Sequence, residues 1–223
     1  MEVANELMVR GIVVGVFQEN CWVIGSRQTG EAICIDPGDQ PDEILALAKD
    51  MGVTIKVIAN SHAHVDHILG VAGVHNETGA KFLLHESDLE LLRTGWQSSA
   101  ERFGFDVNSP PPDPTAFVTD GDIVEVAGLR LRAIETPGHT PGSVSYYADE
   151  GLLFSGDTLF RGSIGRTDFP GGDLDQEMAS ICDKLLALPD ETTVLPGHMQ
   201  QTSIGDERAS NPFVRDWLSR TSE

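Results

Sequence analysis

Basic residues are scarce in this chain: 15 lysines and arginines stand against 35 aspartates and glutamates in 223 residues, a formal net charge of −20. Such a surface repels phosphate backbones, which excludes nucleic acid as an expected partner. Only four of the basic residues are lysine, a balance that suits a high-salt cytoplasm and equally a well-solvated acidic surface. Cysteine is rare as well. Cys21, Cys34 and Cys182 are odd in number and lack C-x-x-C spacing, so they read as buried thiols of a reducing compartment rather than as disulfides or zinc ligands. No apolar run approaches the ~20 residues of a membrane helix, and the opening "MEVANELMVR" lacks the basic-then-apolar order of an export signal. The expectation is a cytoplasmic protein without a membrane partner. A hydrophobic content of 40% with 22% charged residues is ordinary for a globular protein, and the length allows one domain with a substantial core.

The patterning predicts two similar halves. "RGIVVGV", "CWVIGS" and "EAICID" read as strands with turns at Gly15 and at 25–30. Ile44, Leu47, Ala48 and Met51 then recur at helical spacing, with Pro41 placed to start the helix and Gly52 to end it. "VTIKVIAN" predicts a strand, "HILGVAGVHNETG" a helix closing at Gly79, and "KFLLH" another strand. Ser87 and Glu90 have capping-box spacing and predict a helix to about Arg102, followed by a proline-rich surface loop over 108–114. In the second half, "DIVEVAGLRLRAIE" and "SVSYYADEGLLFSGD" predict hairpins turning at Ala127–Gly128 and 149–151. A helix over Leu174–Leu188 with Asp173 as N-cap, a strand in "TTVLPGH" and a closing helix in "NPFVRDWLSR" complete the chain. This order predicts an α/β protein with sheet packed on sheet and helices outside.

Histidine is spent unevenly. There are seven, and three of them fall in "SHAHVDH" as His62, His64 and His67, with Asp66 among them. Four predicted strands end in a possible metal ligand: this cluster, His139 in "RAIETPGH", Asp157 in "LLFSGD" and His198 in "TVLPGH". Strand ends on one edge of a sheet converge in space, so loops distant in sequence can build one pocket on a rigid scaffold. A fifth strand end supplies Asp36, placed to sit beneath the ligand loop and orient it through hydrogen bonds. His62 and His64 point the same way along an extended loop, whereas Asp66 and His67 diverge from them, so one segment serves two neighbouring metals. Imidazole and carboxylate together suit zinc, iron or manganese. His75 and His85 stand apart from this pattern and read as ordinary hydrogen-bonded residues.

These motifs resemble the metallo-β-lactamase superfamily, whose H-x-H-x-D-H signature is matched without a gap, as are "TPGHTPGS", "FSGDTLF" and "LPGH". The resemblance runs from about Ile12 to His198. It implies an αββα four-layer sandwich, a single metallo-hydrolase domain over 1–223 and two divalent metal ions, zinc by preference and iron or manganese otherwise. One metal would take His62, His64 and His139, the other Asp66, His67 and His198, with Asp157 bridging. "SGDTLFRGSIGRTDFPGGD" at 155–173 resembles the glyoxalase II (hydroxyacylglutathione hydrolase) group in its compact bacterial form. Longer members carry a helical region that supplies basic contacts to glutathione, whereas here Arg208, Arg215 and Arg220 lie in a short tail. Arg166 and Arg161 are therefore candidates for holding a glutathione carboxylate, because guanidinium forms two-pronged pairs. The alternative is a structural pairing of either arginine with Asp168 or Asp173.

The implied reaction is hydrolysis of a small-molecule thioester, a glutathione conjugate such as lactoylglutathione, by a hydroxide held between the metals, with Asp66 and Asp157 in catalytic roles. A thiol with pKa near ~8.5 can leave without a strong general acid. The nearest rival is a glutathione persulfide dioxygenase with a single iron on His62, His139 and Asp157, although Ile164 stands where such enzymes often carry cysteine. A lactonase or other esterase is a further alternative, and a non-catalytic scaffold would be expected to have lost ligands, of which none is missing.

Overall fold

The computed structural model describes residues 7–104 and 110–221. In chain order the first half comprises β1 (Leu7–Val14), β2 (Glu19–Ser26), β3 (Glu31–Ile35), α1 (Pro41–Asp50), β4 (Thr54–Ala59), α2 (Val65–Ile68), α3 (Val71–Thr78), β5 (Lys81–Leu84), α4 (Trp96–Phe103) and β6 (Ala116–Phe117). The second half comprises β7 (Ile123–Val126), β8 (Leu129–Glu135), β9 (Val144–Ala148), β10 (Leu152–Gly156), β11 (Leu159–Phe160), β12 (Ser163–Ile164), α5 (Leu174–Ala179), β13 (Thr193–Pro196), β14 (Thr202–Ser203), α6 (Ile204–Ser210) and α7 (Pro212–Thr221). β1 to β6 form one sheet in sequential order, and the second sheet runs β14-β13-β10-β9-β8-β7.

Side chains alternate across a strand, so a sheet buried on both faces feeds two cores. Cys21, Val23, Cys34 and Ile58 point to a core shared with α1 and α3, where Ile44, Val71 and Val74 pack. Their neighbours Ile24, Ile33, Ile35 and Val57 point the other way and meet Ala133, Tyr146, Phe154 and Leu195 between the sheets. Leu153 and Val194 turn to a third core with Met178, Ile181, Ile204 and Val214. Three cores from two sheets is the αββα order.

Several local expectations hold. Pro41 starts α1, the two-residue turn at Ala127–Gly128 has positive φ at both positions as a hairpin of this twist requires, and the Asp173 carboxylate caps α5 by accepting from Gln176 N at 3.0 Å. Others are corrected. The helix expected over 67–79 is two pieces, broken where Gly70 N donates to Pro37 O at 2.9 Å and where a Cβ would lie 2.7 Å from that oxygen. Ser87 does not cap a helix: its N–H donates to His85 Nδ1, and a single tight turn and one widened turn precede α4. The helix after Asp173 also widens over Ser180–Lys184 and tightens before Leu188. The proline-rich loop starts outside the described residues, and 110–114 has no regular structure. α6 is an element the sequence pattern did not announce.

Candidate metal centre

β3 and β4 run parallel, as do β10 and β13, and β8 and β10 both oppose β9. The C-terminal ends of these strands therefore lie on common edges, and each ends in one of the expected donors. Asp36 follows β3, the 62–67 cluster follows β4, His139 follows β8, Asp157 follows β10 and His198 follows β13.

The donors gather as two groups of three, His62 with His64 and His139, and Asp66 with His67 and His198, the ligand atoms in each lying within 4.8 Å of one another; buried Asp36 makes a third such set with His62 and His67, its Oδ2 facing His67 Nδ1. His64 Nδ1 and His139 Nε2 face each other at 2.8 Å. Asp157 stands between the groups: its Oδ1 is 3.4 Å from His67 Nε2, and its Oδ2 is 3.7 Å from His139 Nε2 and 3.6 Å from His198 Nε2. Asp66 Oδ2 meets His198 Nε2 at 3.3 Å.

Among the described residues, buried His62 Nε2, His67 Nε2 and Asp157 Oδ1 have no hydrogen-bond partner. Leaving such atoms unpaired costs about 1–3 kcal/mol each, and clustered nitrogen and oxygen lone pairs are what divalent cations satisfy. The donors thus fit a metal pair. Burial and the neighbouring His139 hold His64 down at about 3, so its imidazole is neutral near pH 7, the form that can bind a metal. Burial works against ionised Asp157, yet His67, His198 and His139 hold it well below the usual carboxylate range.

The rings are oriented from behind. His62 Nδ1 meets Ser61 Oγ at 2.9 Å, His67 Nδ1 meets Asp36 Oδ2 at 3.1 Å, and His139 Nδ1 donates to the Arg166 carbonyl at 2.8 Å. Asp36 lies beneath the ligand loop, accepting from Ser61 N at 2.7 Å and from Ser61 Oγ at 2.6 Å. His75 and His85 lie outside both groups, the first bonded to Ala80 O and the second to Glu135.

Buried polar residues without a motif signal also hold the centre. Asp88 accepts from Ala63 N, Thr140 Oγ1 and Gly142 N, which ties the 62–64 loop to the His139 loop. Glu177 accepts from His139 N at 2.8 Å, and burial pushes it up to about 9. Asn20 holds the backbone on both sides of His198. The two arginines make surface contacts. Arg166 donates two bonds of 2.7 Å to Asp168 and stacks on Phe169 at 3.8 Å, whose other neighbour is His64, ring to ring at 5.5 Å. Arg161 donates to Gln200 Oε1.

A family model described as the metallo-beta-lactamase superfamily matches residues 14–198. The chain is 34% identical over 205 residues to "Hydroxyacylglutathione hydrolase GloC" of Haemophilus influenzae, covering 91% of this chain and 96% of that protein. The fold superposes on the crystal structure of BLEG-1 B3 metallo-beta-lactamase with TM-score 0.85 and 35% identity, covering 93% of this chain and 99% of that one. It superposes on TTHA1623 in a di-iron-bound form with TM-score 0.82 and 38% identity, covering 92% and 99%.

Proposed function

The chain belongs to the metallo-β-lactamase superfamily, and on that premise we propose that this metallo-hydrolase cleaves thioesters, with an S-2-hydroxyacylglutathione such as lactoylglutathione as substrate. The observation that carries the reading is the pair of three-donor groups meeting at Asp157. The choice of thioester is supported by the relative named a hydroxyacylglutathione hydrolase, which matches this chain over nearly its whole length.

His62, His64 and His139 would hold one divalent ion, Asp66, His67 and His198 the other, and Asp157 would contact both. A bound divalent ion supplies Lewis acidity and brings the pKa of a coordinated water toward ~7. Zinc is the first choice for this donor set, with iron or manganese also accommodated. Asp66, on the open side of the centre at 22% side-chain exposure, is placed to accept a hydrogen bond from the attacking water and aim it. No strong acid is needed for the leaving group, since a thiol near ~8.5 departs as thiolate. Arg166 is proposed to exchange Asp168 for a glutathione carboxylate; an exposed pair of this kind is screened by solvent and weakly held, so the exchange costs little. Arg161 is the second candidate. The three free thiols support a reducing, cytoplasmic location, and no helix among the described residues is long and apolar enough to cross a membrane.

The test is purification with native metal, elemental analysis, and assays on lactoylglutathione, glutathione persulfide, a lactone and a β-lactam side by side. The reading expects about two metal ions per chain and thiol release from lactoylglutathione without oxygen. One iron per chain with persulfide-dependent oxygen uptake would replace it with the dioxygenase.

A further inference from the structure

The two donor groups are anchored by different parts of the molecule. The His62, His64 and His139 group is fixed from its own side: Asp88 joins its loops, and Ser61 Oγ and the Arg166 carbonyl orient two of its rings. In the other group, Asp66 and His67 ride on the same 62–67 segment, and His67 is braced by Asp36. Only His198 comes from the far sheet. Its side chain is 22% exposed, against 1% for His67 and 3% for His139, so burial holds it less firmly than those rings.

The backbone on either side of His198 is held instead. Asn20 N donates to Gly197 O at 2.6 Å. Both hydrogens of the Asn20 carboxamide are used, one on Pro196 O at 3.0 Å and one on Met199 O at 2.9 Å. Trp22 Nε1 adds a second bond to Pro196 O at 3.1 Å. Met199 has φ of +67°, a conformation that costs a non-glycine residue roughly 1–2 kcal/mol and persists only when its surroundings enforce it. Gly197 allows no slack: a Cβ there would lie 2.5 Å from Asp157 Oδ1 and 2.8 Å from His67 Cε1. The loop must therefore pass close to the bridging carboxylate in a strained turn, and the first sheet supplies the bonds that keep it there.

We propose that Asn20, assisted by Trp22, is the positioning residue of the second cation, setting its affinity through the His198 loop while leaving the three-histidine group unaffected. The inference rests on the two-cation reading of the centre and not on the thioester. Asn20 donates through a neutral amide, so converting it to aspartate keeps its shape and turns both donors into acceptors that face two carbonyl oxygens. Removing it altogether leaves the Met199 turn unsupported.

The experiment is stepwise Zn2+ titration of metal-free wild type, Asn20→Ala, Asn20→Asp and Trp22→Phe against a chromophoric chelator, which resolves two dissociation constants without any assay of activity. One of the two constants is expected to rise about 10- to 100-fold in Asn20→Ala, the range for lost hydrogen-bond partners of metal ligands, further in Asn20→Asp and less in Trp22→Phe, with the other changed by no more than about two-fold. Trp22→Phe removes the bond to Pro196 O and keeps an aromatic side chain against Phe154, so it carries the test if the aspartate variant does not fold. Constants that stay put in all variants, or that weaken together as general loosening would make them, overturn the proposal. A wild type that takes up a single cation overturns the two-cation reading itself.

Discussion

The floor of the centre and its rim are built by opposite means. On the floor, His62, His67 and His139 are buried and each ring has a hydrogen-bond partner behind it. On the rim, Val16, Phe17, Phe169 and Met199 are exposed apolar side chains, and Arg161 and Arg166 reach only surface partners. Buried donors with fixed orientation determine which chemistry is possible. Exposed side chains on loops decide which molecule is admitted, and they do so with smaller energies.

The largest loss is expected on the floor, at Asp157. Asp157→Ala should lower kcat/KM on lactoylglutathione by about a thousand-fold or more and reduce bound metal; a variant that keeps its rate shows that the carboxylate is not part of the machinery. Asp36→Ala acts one layer further back. Loss of the partner of Ser61 and His67 should weaken metal binding about 10- to 100-fold and destabilise the fold by about 2–4 kcal/mol, read by chelator competition and thermal unfolding.

Arg166→Ala sharpens the contrast from the rim. It should raise KM for lactoylglutathione about ten-fold, the worth of a charge-assisted pair, leave kcat and metal content in place, and spare a thioester lacking the glutathione carboxylates. Equal effects on both substrates would make the arginine a prop for Phe169 instead. The smallest effect is expected at a histidine outside the centre. His75→Ala loses its bond to Ala80 O and should cost about 1 kcal/mol of stability with metal content unchanged.

The gathering of the candidate donors was legible because their chemistry and their place coincide: each follows an apolar strand, and parallel strand ends share an edge. The hairpin at Ala127–Gly128 and the cap at Asp173 were legible because their causes are local. Asp88 was not, since its sequence neighbours suggest a helix cap while its actual partners, Ala63, Thr140 and Gly142, lie far along the chain. Asn20 and Glu177 were missed for the same reason. Glu19 is a harder case: burial pushes its carboxyl well above the ordinary range, neither oxygen has a hydrogen-bond partner among the described residues, and His67 Nδ1 lies 4.0 Å from Oε1, in a strand whose pattern marks only apolar burial. The break at Gly70 depends on Pro37, which no helical periodicity contains. Long-range hydrogen bonds leave no periodic trace, so polar residues that bind loops together stay invisible until the loops are in place.

The paired metal site is best probed by diffraction from metal-replete crystals, recorded on both sides of the metal's absorption edge. Two anomalous peaks about 3.5–4 Å apart are expected to flank Asp157, one against His62, His64 and His139 and the other against Asp66, His67 and His198. A single peak away from these side chains, or none with zinc in excess, would contradict the paired site.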